Sequence, residues 1–293
     1  MQRRRIANAA EPVRITALAN LQNGWSQMAT RRRIPLPAIK DGVRLVPLAS
    51  WRELYGFFDK TLISQHDYIF RGQREAGWPL ESSLDRALRR ARRRERPARA
   101  ATHHLNEFEL AIRGRRGTNP QRLDETEKWA LGQHYGLWTP LLDWTESPFV
   151  ALYFAFEEPT RNRRIKRAAF ALSRPHVEAK SLSIAQPQLE GAARSDILEI
   201  ITPLTDENTR LVSQGGLFTR VGFGDDIEKW VRRHFVGNSK DAVLVKLVIP
   251  EGEDDRDAIL RALNRMNINH RSLFPDIVGS AEFCNKRLVV PEY

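Results

Sequence analysis

The chain has 293 residues, 41% of them hydrophobic and 28% charged, the proportions of an ordinary globular protein that can bury a substantial core. Its apolar runs fall short of the roughly 18 to 20 residues that a bilayer-spanning helix needs. The single cysteine, Cys284, excludes an intrachain disulfide and a cysteine-rich zinc site. With 47 Lys and Arg against 36 Asp and Glu, the net charge is +11. Such an excess suits a polyanionic partner, because phosphate neutralisation releases counterions, and it equally suits a solvated arginine-rich surface.

The first residues, Met1-Gln-Arg-Arg-Arg, have the basic start of a secretion signal without the apolar stretch that must come after it. A cytoplasmic protein with no membrane partner is therefore expected. Residues 1–40 carry two arginine triplets, Arg3 to Arg5 and Arg31 to Arg33, and read as a basic N-terminal arm. Residues 41–293 read as one domain. Ser50 followed by Trp51, Leu54, Phe57 and Phe58 has helical spacing behind a capping serine, and Tyr68 to Gly72 reads as a short strand ending at a glycine.

Residues 82–116 are expected to form two helices around Pro97, with an apolar stripe of Leu105, Phe108, Leu110 and Ile112 on the second. A third helix is predicted from Glu125 to Leu131 and is broken by Gly136. From Ser147 the text Ser-Pro-Phe-Val-Ala-Leu-Tyr-Phe-Ala-Phe is a buried helix with proline in its first turn. The second half is β-rich, with strands predicted at 167–173, 197–201, 216–221 and 242–249. A helix is expected over 254–266, and a short one begins near Phe274. Helices early and strands late predict an α+β fold, a mainly antiparallel sheet with packed helices.

Several polar residues stand out. Arg71 at a strand end leaves a planar fork for a phosphate or carboxylate, or else it pairs with Asp143. Gly72 beside it permits close backbone approach to a ligand. Asp143 lies among Leu141, Leu142 and Trp144, so a buried carboxylate needing a partner is expected, with Arg71, His134 and Arg210 as candidates. Thr145 or Ser147 can cap the following helix. His134 suits either a ligand hydroxyl or a structural hydrogen bond. No closely spaced Asp and Glu set on one strand supports a metal-dependent nuclease.

Four segments together resemble the FRG-domain family: Phe70-Arg71-Gly72-Gln73 with Trp78-Pro79-Leu80; Gln133-His134-Tyr135-Gly136-Leu137 through Asp143-Trp144-Thr145 to Ala155; Asn208-Thr-Arg210 with Gln214, Gly216 and Phe218; and Leu273-Phe274-Pro275-Asp276-Ile277. Trp138 and Pro140 stand where family members usually carry proline and arginine.

More distantly the chain resembles ADP-ribosyltransferases of the arginine, serine-threonine-serine, glutamate type. Their aromatic-Arg-Gly strand is matched by Phe70-Arg71-Gly72. Their hydroxyl-bearing strand, with the alanine- and phenylalanine-bearing helix after it, is matched by Thr145 through Ala155. That resemblance implies NAD as substrate, with Arg71 on a phosphate and Thr145 ordering the strand beside the nicotinamide ribose. It places Tyr153 on the nicotinamide, and Gly72, Gln73, His134 and Gln214 around the cofactor. Arg71, Asp143 and Thr145 are the implied catalytic set. The late glutamate falls on Gln214-Gly215-Gly216, so Asp143, Glu199 or Glu282 replaces it, or the likeness is to the fold alone. The implied function is an NAD-consuming effector, transferase or glycohydrolase, in a bacterial toxin or phage-defence setting, with a protein acceptor or inhibitor as partner. The other reading is a non-catalytic module that binds a nucleotide or nucleic acid through its basic surface.

Overall fold

The computed structural model describes residues 36–54, 67–91, 95–160, 165–185, 196–203, 209–250 and 255–293. Most of the expected N-terminal arm and residues 55–58 of the helix expected after Ser50 lie outside them. Eight strands form one sheet: β1 (Ile39–Lys40), β2 (Val43–Pro47), β3 (Tyr68–Gln73), β4 (Leu142–Thr145), β5 (Lys166–Ser173), β6 (Glu199–Ile201), β7 (Gly216–Arg220) and β8 (Leu244–Pro250), in the order β1-β2-β8-β5-β3-β4-β7-β6. Every neighbouring pair is antiparallel except β2 with β8. The fold is α+β.

The described helices are α1 (Ser83–Ala91), α2 (Pro97–Ala111), α3 (Glu125–His134), α4 (Pro148–Phe156), α5 (Arg174–Ala185), α6 (Thr209–Ser213), α7 (Ile227–His234), α8 (Asp255–Arg265), α9 (His270–Leu273) and α10 (Ile277–Val289). β5 is buried along its length after Lys166, because helices cover both faces of the sheet centre. On one face Val150 to Phe156 of α4 and Ile259, Leu260 and Leu263 of α8 pack with Phe70, Ala169, Ala171 and Leu247. On the other, Val177 of α5 and Ile227, Trp230 and Val231 of α7 pack with Ile69, Leu142, Trp144 and Phe170. A third cluster joins α1, α2 and α3 through Leu84, Leu105 and Trp129 to Phe218 of β7. Leu110, expected on the buried stripe of α2, is 56% exposed; the inward face of that helix is made by Ala100, Ala101 and Leu105.

α4 is fixed at both of its ends. Ser147 accepts a hydrogen bond from the Val150 N–H and Pro148 occupies the first turn, so the helix starts where its sequence places it. Its C-terminal carbonyls meet three cations. The fully buried Arg167 donates to Ala155 O and Glu158 O, Arg256 to Phe156 O and Glu157 O, and Lys286 to Glu157 O. Positive charge at that end opposes the negative pole of the helix and satisfies carbonyls that have no helical partner. The short helix expected near Phe274 is the 13-residue α10. It begins three residues later than expected and is capped by Asp276, whose carboxylate accepts from the Gly279 N–H at 2.6 Å.

Candidate functional site

β3 and β4 pair through one residue couple, Phe70 with Thr145, and a cleft of about 340 Å3 opens where the two strands part. β3 contributes Phe70, Arg71 and Gly72, and β4 contributes Asp143, Trp144 and Thr145; Phe154, Gln214 and Phe274 complete the lining. Residues distant in sequence meet here because β4 lies between β3 and β7, and because only two residues separate the end of β4 from the start of α4.

Arg71 is the cleft's cation. Its side chain is 19% exposed. One Nη donates to the backbone oxygen of Asp143 at 2.6 Å, while its Nε is buried with no hydrogen-bond partner. The Asp143 carboxylate stands 3.9 Å away, beyond hydrogen-bond reach. Burial lowers the pKa of the guanidinium, Asp143 counteracts this, and the charge of Arg86 adds to it. Arg71 is thus a desolvated cation with one buried donor that has no partner.

Asp143 is not the buried carboxylate expected from its neighbours, since its side chain is 64% exposed. The alternation of β4 explains this: Leu142 and Trp144 point into the core between the sheet, α5 and α7, and Asp143 points away from it. Its Oδ1 accepts from Gln133 Nε2 at 2.7 Å. Of the partners expected for it, Arg71 stands 3.9 Å away; Arg210 instead pairs with Asp276, its Nε 3.0 Å from Oδ2, and lies over the Phe274 ring.

Thr145 lines the cleft, but its hydroxyl donates to Gln214 O at 2.6 Å and accepts from the Ser147 N–H at 3.1 Å. It ties β4 to the loop before β7, and the helix cap falls to Ser147. Gln214 sends its amide to Leu273 O at 3.1 Å. Gly72 lines the cleft and is required by α4: a Cβ there would meet the backbone of Ala151 and Ala155.

Three expected ligand contacts stay outside the lining. Gln73 is buried and donates to Pro79 O. Tyr153 is fully buried and bonds His270 Nδ1 at 3.1 Å; the α4 aromatic that reaches the cleft is its neighbour Phe154. On a helix apolar all round, spacing does not say which aromatic faces which way. His134 ends α3, packs edge-on against Tyr135, and acts on Asp276. The Gly279 N–H and the Arg210 fork hold the Asp276 carboxyl below its usual range, with His134 a smaller contributor. Of the carboxylates expected to replace the late glutamate, Glu199 is held by Arg220 at 2.7 Å and Glu282 lies on α10; among the described residues Asp143 is the carboxylate that lines the cleft.

In the basic run of α1, Arg86 donates to Glu81 O and Arg89 forms a forked pair with the buried Glu81 carboxylate; residues 92–94 lie outside the described ones. Those two arginines hold the start of α1 in place. Among the described residues no group of three or more His, Cys, Asp or Glu is placed to hold a metal ion, and no helix is long and apolar enough to cross a membrane.

Sheet, capped helix and cleft together define an α+β domain with an arginine and a carboxylate displayed at the parting of two strands. Residues 66–164, which include β3, β4 and α4, match the FRG domain. Comparison with curated proteins and with solved structures gives no match.

Proposed function

We propose that the cleft binds NAD and breaks the bond between nicotinamide and ribose, passing ADP-ribose to water or to an acceptor. The observation that carries this reading is the state of Arg71, a largely buried cation whose Nε–H has no acceptor and whose nearest carboxylate stands at 3.9 Å. Desolvation of that charge is unfavourable until an anion arrives, and a phosphate accepts from the guanidinium. Phe154 and Phe274 line the same space and add apolar surface beside which a planar base can pack.

The chemistry asks for one further group. When the glycosidic bond breaks, its electron pair leaves with nicotinamide, which departs neutral, and positive charge develops over ribose C1 and the ring oxygen. Asp143 supplies a carboxylate to that charge. Water then adds at C1 and releases a proton, or a nucleophile of an acceptor takes its place. Thr145 holds the strand and does no chemistry, because its hydroxyl is already committed to Gln214 O and the Ser147 N–H. A toxin or phage-defence setting, with a protein acceptor or inhibitor, fits an activity that depletes NAD.

A second reading is a non-catalytic nucleotide-binding module with nucleic-acid affinity from its basic surface. The observation in its favour is that Gly216 stands where the resemblance puts the transferases' late glutamate, and no glutamate is among the described residues that line the cleft. Incubating the purified protein with NAD and measuring free nicotinamide separates the two, because binding alone releases none.

A further inference from the structure

The separation of Arg71 from Asp143 needs an explanation. Opposite charges 3.9 Å apart close into a forked contact unless something holds them off. The unused Nε–H of Arg71 is a donor such a contact would take up. We propose that Gln133 and Thr139, which lie outside the cleft lining, are positioning residues that hold the Asp143 carboxylate away from Arg71 and leave both charges open to a ligand.

The hydrogen bonds run in one direction. Leu141 N–H donates to Thr139 Oγ1 at 3.2 Å, so the hydroxyl sends its own proton to Gln133 Oε1. With its oxygen engaged, the Gln133 amide turns its NH2 to Asp143 Oδ1 at 2.7 Å, an atom that only accepts. Thr139 is fully buried, and its backbone N–H is anchored by Ser83 Oγ at 3.0 Å. The starting point of the relay is therefore locked by the core. A neutral amide holds the carboxylate without cancelling its charge, as a cation would. The purpose of that separation rests on the NAD reading above: one ligand brings a phosphate to the arginine and a developing cation to the carboxylate.

The test uses the full chain. Thr139→Val and Gln133→Leu break the relay, Gln133→Asn shortens it in case the leucine variant folds poorly, and Thr139→Ser keeps the hydroxyl. The Arg71 Nε–H signal is followed by NMR in ligand-free protein, and NAD affinity by calorimetry. With the relay broken, the carboxylate closes on Arg71. The Nε–H signal moves downfield, NAD binds about tenfold more weakly, and the serine variant behaves as wild type. In an Asp143→Asn background, Gln133→Leu causes no further change. An unchanged Arg71 signal in folded Thr139→Val and Gln133→Leu protein, with only a lower melting temperature, would reduce the relay to a structural tie and overturn the proposal. A moved signal in a protein that binds no NAD would leave the positioning standing and remove the NAD reading.

Discussion

A Cβ placed on Gly72 would lie 1.8 Å from the carbonyl oxygen of Ala151 and 2.6 Å from the Ala155 nitrogen. β3 and α4 therefore pack backbone against backbone beneath the cleft, and neither atom belongs to a side chain that can turn away. Gly72→Ala is expected to cost at least about 3 kcal/mol, which lowers the melting temperature by about 6 °C or more. A variant melting with wild type would mean that α4 shifts freely on β3, and the cleft geometry would have to be redrawn.

Arg71 gives the opposite expectation. Its burial opposes its own charge, and its one hydrogen bond runs to the Asp143 backbone oxygen. Arg71→Ala removes a modest bond together with a desolvated cation, so stability should change by no more than about 1 kcal/mol. Nucleotide affinity, read by calorimetry with ADP-ribose, should fall at least about tenfold. Arg71→Lys should bind as poorly, because a point charge cannot reproduce the two-pronged contact of a guanidinium. Full binding by the lysine variant would contradict the forked contact.

Asp143→Asn separates chemistry from structure. The carboxylate is 64% exposed and accepts from a neutral amide, so there is no buried ion pair to break and stability should move by less than about 1 kcal/mol. Turnover should fall on the order of a hundredfold. A loss of several kcal/mol in stability would show that the carboxylate carries the fold.

Behind the cleft wall lies a buried ionisable cluster. Phe274 stacks on His270 with ring centroids 4.2 Å apart, and His270 Nδ1 stands 3.8 Å from Glu157 Oε2. Burial pushes the Glu157 carboxyl up to about 7, against the pull of Lys286 and Arg256. The folded protein thus holds this proton more tightly than the unfolded chain. The stability it contributes is complete below the ordinary value of 4.5 and is lost as pH rises through about 7. Relative to Glu157→Gln, wild type should lose about 3 kcal/mol across that window, with a constant gap above it. Burial lowers the pKa of His270, which works in the opposite sense but is common to both proteins. Denaturant melts at several pH values check this, and parallel curves for the two proteins would contradict it.

Much of this arrangement is legible in the amino-acid order. The serine and proline before an unbroken apolar run place the start of α4, and the two helices around Pro97 follow from its fixed backbone. The apolar pair and indole around Asp143 read as a strand, but alternation along β4, and not the company of leucines, decides that the carboxylate is exposed. Gly72 reads as a place of close approach, and only the packed sheet tells that the visitor is a helix. Tyr153 and Phe154 are indistinguishable until the sheet assigns one to the core and the other to the cleft. Gln133, ten residues before Asp143, carries no local sign of its contact, because only the register of α3 against β4 brings them together. The length of α10 escapes too, since its exposed Ile277, Val278, Leu288 and Val289 give no clean apolar stripe.

The central claim is that one cleft, with Arg71 for the phosphate and Asp143 for the developing cation, cleaves NAD. Nicotinamide release by wild type, Arg71→Ala and Asp143→Asn proteins tests it directly. Wild type should release nicotinamide steadily, Arg71→Ala should release none detectable, and folded Asp143→Asn should release it on the order of a hundredfold more slowly. Wild-type protein that binds NAD and frees no nicotinamide, or an Asp143→Asn protein that frees it at the wild-type rate, would contradict it.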